Sequence, residues 1–153
     1  MTTYTLPIVG AHFRPPAKAL ISVLPAKAKL SLVPEGVFGL DEKPYDVNAV
    51  GVWVETSQIP STQAEVLEGL IAGNGLTLED VLGHSAFQLG YIPAKDAAPL
   101  RAAIIENCNA FNTSTLPGEL GFSLDGKPQV KFALYEKVEV EEKEETQKDE
   151  YND

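Results

Sequence analysis

The feature that most constrains the fold is the alternating run at residues 48–55, Asn-Ala-Val-Gly-Val-Trp-Val-Glu. Its three valines alternate with a glycine and a tryptophan, so the valines share one face of an extended chain. β-Branched residues with this period are typical of a strand that is buried on one side. The chain is therefore expected to build a sheet with one face turned to the core.

Other segments have the composition of short strands that end at proline or glycine. Residues 29–33 alternate as a half-buried strand does, and residues 17–24 form a short apolar run before Pro25. Asp125-Gly126 suits a tight turn and predicts a hairpin between the last two strands. The remaining predicted strands are residues 4–13, 86–91, 119–124 and 129–135.

Helical signals are concentrated between and after the middle strands. Residues 57–85 have the pattern of a helical insertion, in which Ser61 or Thr62 would cap a helix over residues 62–72 with Glu65 as the capping-box partner. Thr77 repeats the cap signature for a second short helix that ends near Gly83. Residues 94–107 have apolar side chains at helical spacing and predict a third helix.

The expected fold is therefore mainly β with α decoration (α+β), a small OB- or SH3-like β-barrel of about six strands with two to three helices. At 153 residues the chain is most simply one domain, over residues 1–136. Residues 137–153 have too few apolar side chains to offset the entropy of ordering and are expected to be a disordered acidic tail.

Composition limits the compartment and the reaction classes. A single cysteine, Cys108, excludes an intramolecular disulfide and fits a reducing compartment. No signal peptide or membrane-length apolar run is recognisable, so a cytoplasmic location without membrane contact is expected. Two histidines and one cysteine do not make a recognisable metal site, and no catalytic motif or cofactor-binding loop occurs. The chain is thus predicted to be no enzyme, without metal or cofactor.

The charge is uneven along the chain. The net charge of −10 argues against a general DNA-coating role, because non-specific affinity comes from neutralising phosphates with Lys and Arg. Residues 136–153 contain nine acidic and three basic side chains, whereas the first 34 residues contain four basic and no acidic ones. One end of the fold is therefore expected to be locally positive.

Two motifs carry a family resemblance. Pro44-Tyr45-Asp46-Val47-Asn48-Ala49-Val50 is followed about forty residues later by Gly90-Tyr91-Ile92-Pro93, with Gly10-Ala11-His12-Phe13 upstream. In combination they resemble the HIRAN domain, a small β-barrel known from fork-remodelling helicases and from free-standing bacterial and phage proteins. The resemblance covers somewhat under half of the chain and implies binding of single-stranded DNA ends.

The resemblance also implies roles for individual side chains. Phe13 and Tyr45 would stack on the terminal bases, and Asp46 would accept a hydrogen bond from the 3′-hydroxyl. Base–aromatic stacking is worth about 1–3 kcal/mol per base and tolerates any sequence. The implied DNA-binding set is His12, Phe13, Arg14, Lys43, Tyr45, Asp46, Asn48, Tyr91 and Lys95.

Structural roles compete with these assignments. An aspartate followed two residues later by an asparagine at the start of a strand also closes a turn, so Asp46 and Asn48 have a non-functional alternative. Tyr45 can equally cover the end of the barrel. The family often has an arginine where this chain has His12, which is mostly neutral near pH 7.

The sequence thus predicts a non-catalytic module that binds single-stranded DNA at 3′ ends, in DNA replication or repair or in phage DNA metabolism. A helicase, a nuclease or another DNA-processing protein is the expected protein partner. The alternative is a protein-interaction adaptor, or an inhibitor that imitates DNA toward a host DNA-binding protein, which the segment 57–85 and the acidic tail favour.

Overall fold

Alternating apolar residues build one antiparallel sheet. The structure, a computed structural model, describes residues 1–10, 15–35 and 49–135. Within these residues six strands form: β1 (Thr2–Pro7), β2 (Lys29–Pro34), β3 (Val50–Glu55), β4 (Ala86–Tyr91), β5 (Leu116–Phe122) and β6 (Pro128–Leu134). The same residues contain four α-helices: α1 (Pro15–Val23), α2 (Ala64–Ala72), α3 (Leu78–Leu82) and α4 (Ala94–Ala110). The mainly β, α+β class is confirmed. The predicted tail, residues 137–153, lies outside the described residues.

The sheet is antiparallel throughout, with the strand order β1-β6-β5-β2-β3-β4. Val9, two residues after the end of β1, forms one isolated bridge with Tyr91 of the other outer strand, β4, through two backbone hydrogen bonds of 2.8 and 2.9 Å. Over the described residues this bridge does not extend into a ladder, so the sheet is not closed and the barrel stays a prediction.

The core lies on one face of the sheet, as the period of β3 predicts. Val50, Val52 and Val54 are at most 1% exposed, whereas Trp53 points to the other face and is half-buried. Helices cover the valine face: side chains from α1, α2 and α4 belong to the same buried cluster. β2, which pairs with β3, adds Leu30 to the same buried cluster.

Residues 17–23 of the predicted apolar run 17–24 belong to α1, and this makes the helix count one higher than expected. The run has only two polar residues, Lys18 and Ser22, and both are exposed. Ala17, Leu20 and Ile21 are buried at i, i+3 and i+4 spacing, as one helix face requires. The two prolines at the start do not oppose a helix, because the first-turn N–H groups have no intrahelical partner.

One of the two predicted capping boxes is wrong. Residues 61–63 form a 3-10 turn, so α2 starts at Ala64 with Gln63 before it and without a side-chain cap. The backbone N–H of Gln63 donates to the Pro60 carbonyl instead, at 2.8 Å. The second box is confirmed: Thr77 and Asp80 exchange side-chain and backbone hydrogen bonds at the start of α3.

The segment between β3 and β4 is closed at its base. The backbone N–H of Thr56 donates to the Ser85 carbonyl at 3.0 Å, and its hydroxyl donates to the His84 carbonyl at 2.6 Å. Two 3-10 turns, α2 and α3 lie between these anchors. The first and last residues of the excursion are therefore neighbours in space.

The remaining boundaries shift by a few residues. β1 is Thr2–Pro7, and the N–H of Ile8 still donates to the Pro128 carbonyl at 3.0 Å, whereas residues 11–13 of the predicted strand lie outside the described residues. The predicted hairpin between β5 and β6 is confirmed, with Gly126 at a φ of 83° in its turn. The predicted third helix is confirmed as α4, and none of the helices in the described ranges is long and apolar enough to cross a membrane.

Candidate functional site

Two segments, residues 11–14 and 36–48, contain most of the predicted DNA-binding residues. The first follows Gly10, which lies close to Tyr91, itself a predicted site residue. The backbone of Tyr91 is bonded to Val9, and a Cβ added to Gly10 would lie 3.6 Å from Cδ2 of the Tyr91 ring. Gly10 has a φ of +86°, in the left-handed region that favours glycine. Gly10 therefore lies against the Tyr91 ring, two positions before His12 in the sequence.

The residues that flank the second segment, residues 36–48, lie at the same end of the sheet. The backbone N–H of Glu35 donates to the Ala49 carbonyl at 3.0 Å, which joins the two described residues that flank residues 36–48. Val50, next to Ala49, accepts a hydrogen bond of 3.1 Å from the N–H of Ile92, the residue after Tyr91. The flanks of both segments thus meet around the end of β4.

Arg101, on α4, binds the backbone at Glu35. Nη2 of Arg101 donates to the backbone carbonyl of Glu35 at 2.9 Å, and Glu35 is 4% exposed. The Nε of Arg101 is buried, and among the described residues it has no hydrogen-bond partner. Sequence reasoning missed Arg101, since nothing in its local pattern distinguishes it from a surface arginine.

Lys95 is the other predicted site residue that the structure describes. It is exposed in the first turn of α4, four residues after Tyr91. Within the described part of the chain no carboxylate lies within salt-bridge distance of it. The N-terminal end of a helix carries partial positive charge, but the acidic side chain of Asp96 in the same turn offsets the charge of Lys95.

The other seven predicted site residues lie outside the described residues: His12, Phe13, Arg14, Lys43, Tyr45, Asp46 and Asn48. Their contacts with one another and with Tyr91 stay predictions. What the structure does bring together is their described neighbours, Gly10 before the first group and Glu35 and Ala49 around the second.

A groove on the outer face of the sheet was not anticipated from the sequence. It has a volume of about 900 Å³, and Ser31, Pro117 and Ala133 lie along its floor. Phe111 and Tyr135, at its rim, are 56% and 45% exposed, with ring centroids 5.5 Å apart in an edge-to-face arrangement. Two exposed aromatic residues close to strand and helix ends were the available signal, but their proximity depends on the packing of α4 against β6.

The groove has little net charge. Lys29 and Glu55 both line it, and the Gln58 amide is occupied with the Lys29 backbone through hydrogen bonds of 2.7 and 2.5 Å. Balanced charge beside two rings suits an uncharged planar group better than a phosphate. It is therefore a weaker DNA candidate than the corner at Tyr91.

Nucleophilic chemistry finds little support at Cys108. The residue is fully buried in α4, and desolvation raises the pKa of its thiol above the ordinary 9.0. Over the described ranges, no group of three or more His, Cys, Asp or Glu side chains is placed to hold a metal ion.

We expect Cys108 to resist thiol reagents in the folded protein. Because the raised pKa keeps the thiol protonated near pH 7 and burial blocks access, labelling with a disulfide reagent should be at least about a hundredfold slower than in denaturant. Raising the pH toward the ordinary thiol pKa should accelerate labelling of the unfolded chain first. Rapid stoichiometric labelling of the native protein would contradict this burial.

The second motif of the HIRAN resemblance has a clear structural place. Gly90 and Tyr91 end β4, and Ile92-Pro93 leads into α4. Of the first motif only Ala49 and Val50 are described, at the start of β3. Comparison of the chain with protein-family models, curated proteins and solved structures gave no match. The family resemblance therefore remains a prediction from these residues.

Proposed function

We propose that this protein binds single-stranded DNA at its 3′ end, without catalysis, in DNA replication or repair or in phage DNA metabolism. The observation that supports the proposal is the convergence at Tyr91: Gly10, Glu35 and Ala49, which flank the two segments with the implied DNA-binding residues, meet at one end of the sheet. Residues that are distant in sequence can share one pocket only if their flanks meet in this way.

The proposed pocket works by stacking and by end recognition. Phe13 and Tyr45 sandwich unpaired bases, and Asp46 accepts a hydrogen bond from a free 3′-hydroxyl. A carboxylate repels an internal phosphate, so the same group disfavours binding in the middle of a strand. Arg14, Lys43 and Lys95 then bind the phosphates that precede the end.

We also propose that the sheet curls into an OB- or SH3-like barrel. The bridge between Val9 and Tyr91 supports this, since it brings the chain that leaves one outer strand, β1, against the other, β4. Small barrels of this type bind single strands across their surface. In this arrangement the DNA pocket lies where the barrel closes.

The test is the affinity for short oligonucleotides, measured by fluorescence anisotropy. We expect a single strand with a 3′-hydroxyl to bind at least about tenfold more tightly than a 3′-phosphorylated strand or a blunt duplex. Tyr45→Ala should weaken binding by about 5–150-fold, the equivalent of one lost stacking contact. Phe122→Ala is the matched control, because that ring is 51% exposed on the β5–β6 hairpin and should not affect binding.

Two further readouts make the test specific. Asp46→Ala should abolish the preference for the 3′-hydroxyl, while overall stacking affinity persists. Three phosphate contacts predict a slope of about −2 for the logarithm of affinity against the logarithm of salt concentration. Equal binding to both kinds of end would remove the end-recognition claim, and a slope near zero would remove the phosphate contacts.

The alternative, an adaptor or DNA-mimicking inhibitor, rests on the charge of residues 136–153, which is −6 in a chain of −10. An acidic tail competes with DNA for basic surfaces, on a partner or on the protein itself. Removing residues 138–153 separates these roles. Higher DNA affinity would indicate autoinhibition, whereas loss of binding to a DNA-processing partner would indicate an adaptor.

A further inference from the structure

One face of α2 is apolar and open to solvent. Leu67 and Ile71 are fully buried and attach the helix to the core. Val66 and Leu70 occupy the next face, where they are 51% and 48% exposed. Their spacing of four residues places them side by side on the helix surface. A nine-residue helix therefore has two apolar faces, of which its own fold covers one.

Two glycines extend the exposed face. Gly69 and Gly73 continue the i, i+3, i+4, i+7 series that starts at Val66, and a Cβ added to either would meet nothing within 4 Å. Gly73 has a φ of −63°, so neither the turn geometry nor internal packing requires glycine there. Glycine inside a helix is less favourable than alanine. Glycine at Gly69 is understandable if another backbone has to approach the helix closely.

The part of the chain that carries this face, residues 49–94, has charged side chains of one sign. Glu65 and Glu68 lie on α2, and Glu79 and Asp80 lie on α3, while residues 49–94 contain neither lysine nor arginine. All four carboxylate residues are exposed. Charge complementarity therefore favours a cationic partner, and it opposes pairing with a second copy of the same acidic face.

We propose that the α2 face, formed by Val66, Gly69, Leu70 and Gly73, docks an amphipathic helix of a partner protein whose apolar stripe is flanked by lysine and arginine. Helix-on-helix recognition uses apolar anchors at this spacing, and the glycine lets the two axes cross closely at the centre. The surface is separate from the DNA pocket at Tyr91 and goes beyond the proposed function.

The experiment measures the binding of designed peptides to the full-length chain. A helical peptide of leucine and lysine carries its leucines at i, i+3, i+4 and i+7 spacing, and a scrambled peptide of the same composition keeps the charge without the apolar stripe. We expect the amphipathic peptide to bind at least about tenfold more tightly than the scrambled one, by isothermal titration calorimetry. Equal affinities would show attraction to acidic residues in general and would overturn the proposal.

Variants locate the surface. Leu70→Ser should weaken binding of the amphipathic peptide at least about tenfold, whereas Leu124→Ser on the exposed β5–β6 hairpin should leave it unchanged. Gly69→Ala is the more specific variant. It should raise Tm by about 2–4 °C, because alanine favours a helix more than glycine does. It should nevertheless weaken peptide binding, because the added methyl group keeps the two helices apart. A residue with only a structural role would not lose binding while gaining stability.

Other outcomes count against the proposal. Retention of peptide binding by both Leu70→Ser and Gly69→Ala would place the site elsewhere. A concentration-dependent dimer in sedimentation that Leu70→Ser abolishes would show that the occupant is a second copy. Oligonucleotide affinity should stay unchanged in both α2 variants, so this test and the test of DNA binding fail independently.

Discussion

Replacing Gly90 by valine should lower the free energy of unfolding by about 3 kcal/mol, from overpacking and from loss of the Val9–Tyr91 bridge. A Cβ at Gly90 would overlap the carbonyl oxygen of Val9 and would lie 3.1 Å from Cγ2 of Ile8. The Val9 oxygen is backbone and accepts the Tyr91 N–H, so it cannot move aside without breaking the bridge. The same change should also remove the proposed binding of single-stranded DNA, because it separates Gly10 from the Tyr91 ring.

Gly121→Val is the matched control. Gly121 is also a strand glycine, in β5, but a Cβ there would meet nothing within 4 Å. Because valine favours extended backbone, we expect stability that is unchanged or slightly increased. Urea denaturation of both variants measures the difference. If the two valine variants unfold at the same urea concentration, the close approach of β4 to Val9 is not as described.

Replacing Asn107 by leucine should cost about 2–3 kcal/mol of stability, since it leaves two backbone groups without partners. Asn107 is 5% exposed in α4, and its Oδ1 accepts the Tyr135 N–H at 2.9 Å while its Nδ2 donates to the Tyr135 carbonyl at 3.2 Å. The side chain thus pairs with the end of β6 as a neighbouring strand would. Nδ2 also donates to the Ala103 carbonyl at 2.9 Å.

Asn109→Leu, two residues further along α4, separates this effect from a general cost of leucine in the helix, because Asn109 is exposed. It should change the unfolding free energy by less than about 0.5 kcal/mol. Asn107→Asp is a second variant that keeps the acceptor for the Tyr135 N–H. It should still destabilise, because it loses the donor and places a carboxylate beside two carbonyl oxygens. Wild-type stability in both Asn107 variants would mean that water replaces the amide.

The strands could be predicted because burial on one face imposes a period that the residues display directly. The valines of β3 and the alternation of β2 are local signals, and both strands form where the sequence indicates. α1 could not be recognised in the same way. Most of its residues are apolar, in keeping with the packing of both β4 and α2 against it, and its two polar residues, Lys18 and Ser22, are too few to display a helical period.

The residues of the candidate site also differ in whether a local sequence pattern points to them. Short motifs around Tyr91 carry the resemblance from which the family and its set of side chains are predicted, and this stays a prediction. Arg101 has no such motif, although its guanidinium holds the Glu35 carbonyl across 66 residues of sequence. The aromatic pair of Phe111 and Tyr135 is equally invisible, since a helix end and a strand end meet there only after the chain has folded.

The hydrogen bond between Thr56 and Ser85 determines which changes the segment between them can tolerate. A tight hairpin turn could rejoin β3 to β4 at these two residues, because their backbones are already hydrogen-bonded to each other. The exposed positions of this segment can therefore change in length or sequence without altering the strand order of the sheet. Its helices still have to supply the buried side chains of Leu67, Ile71 and Val81, which complete the core.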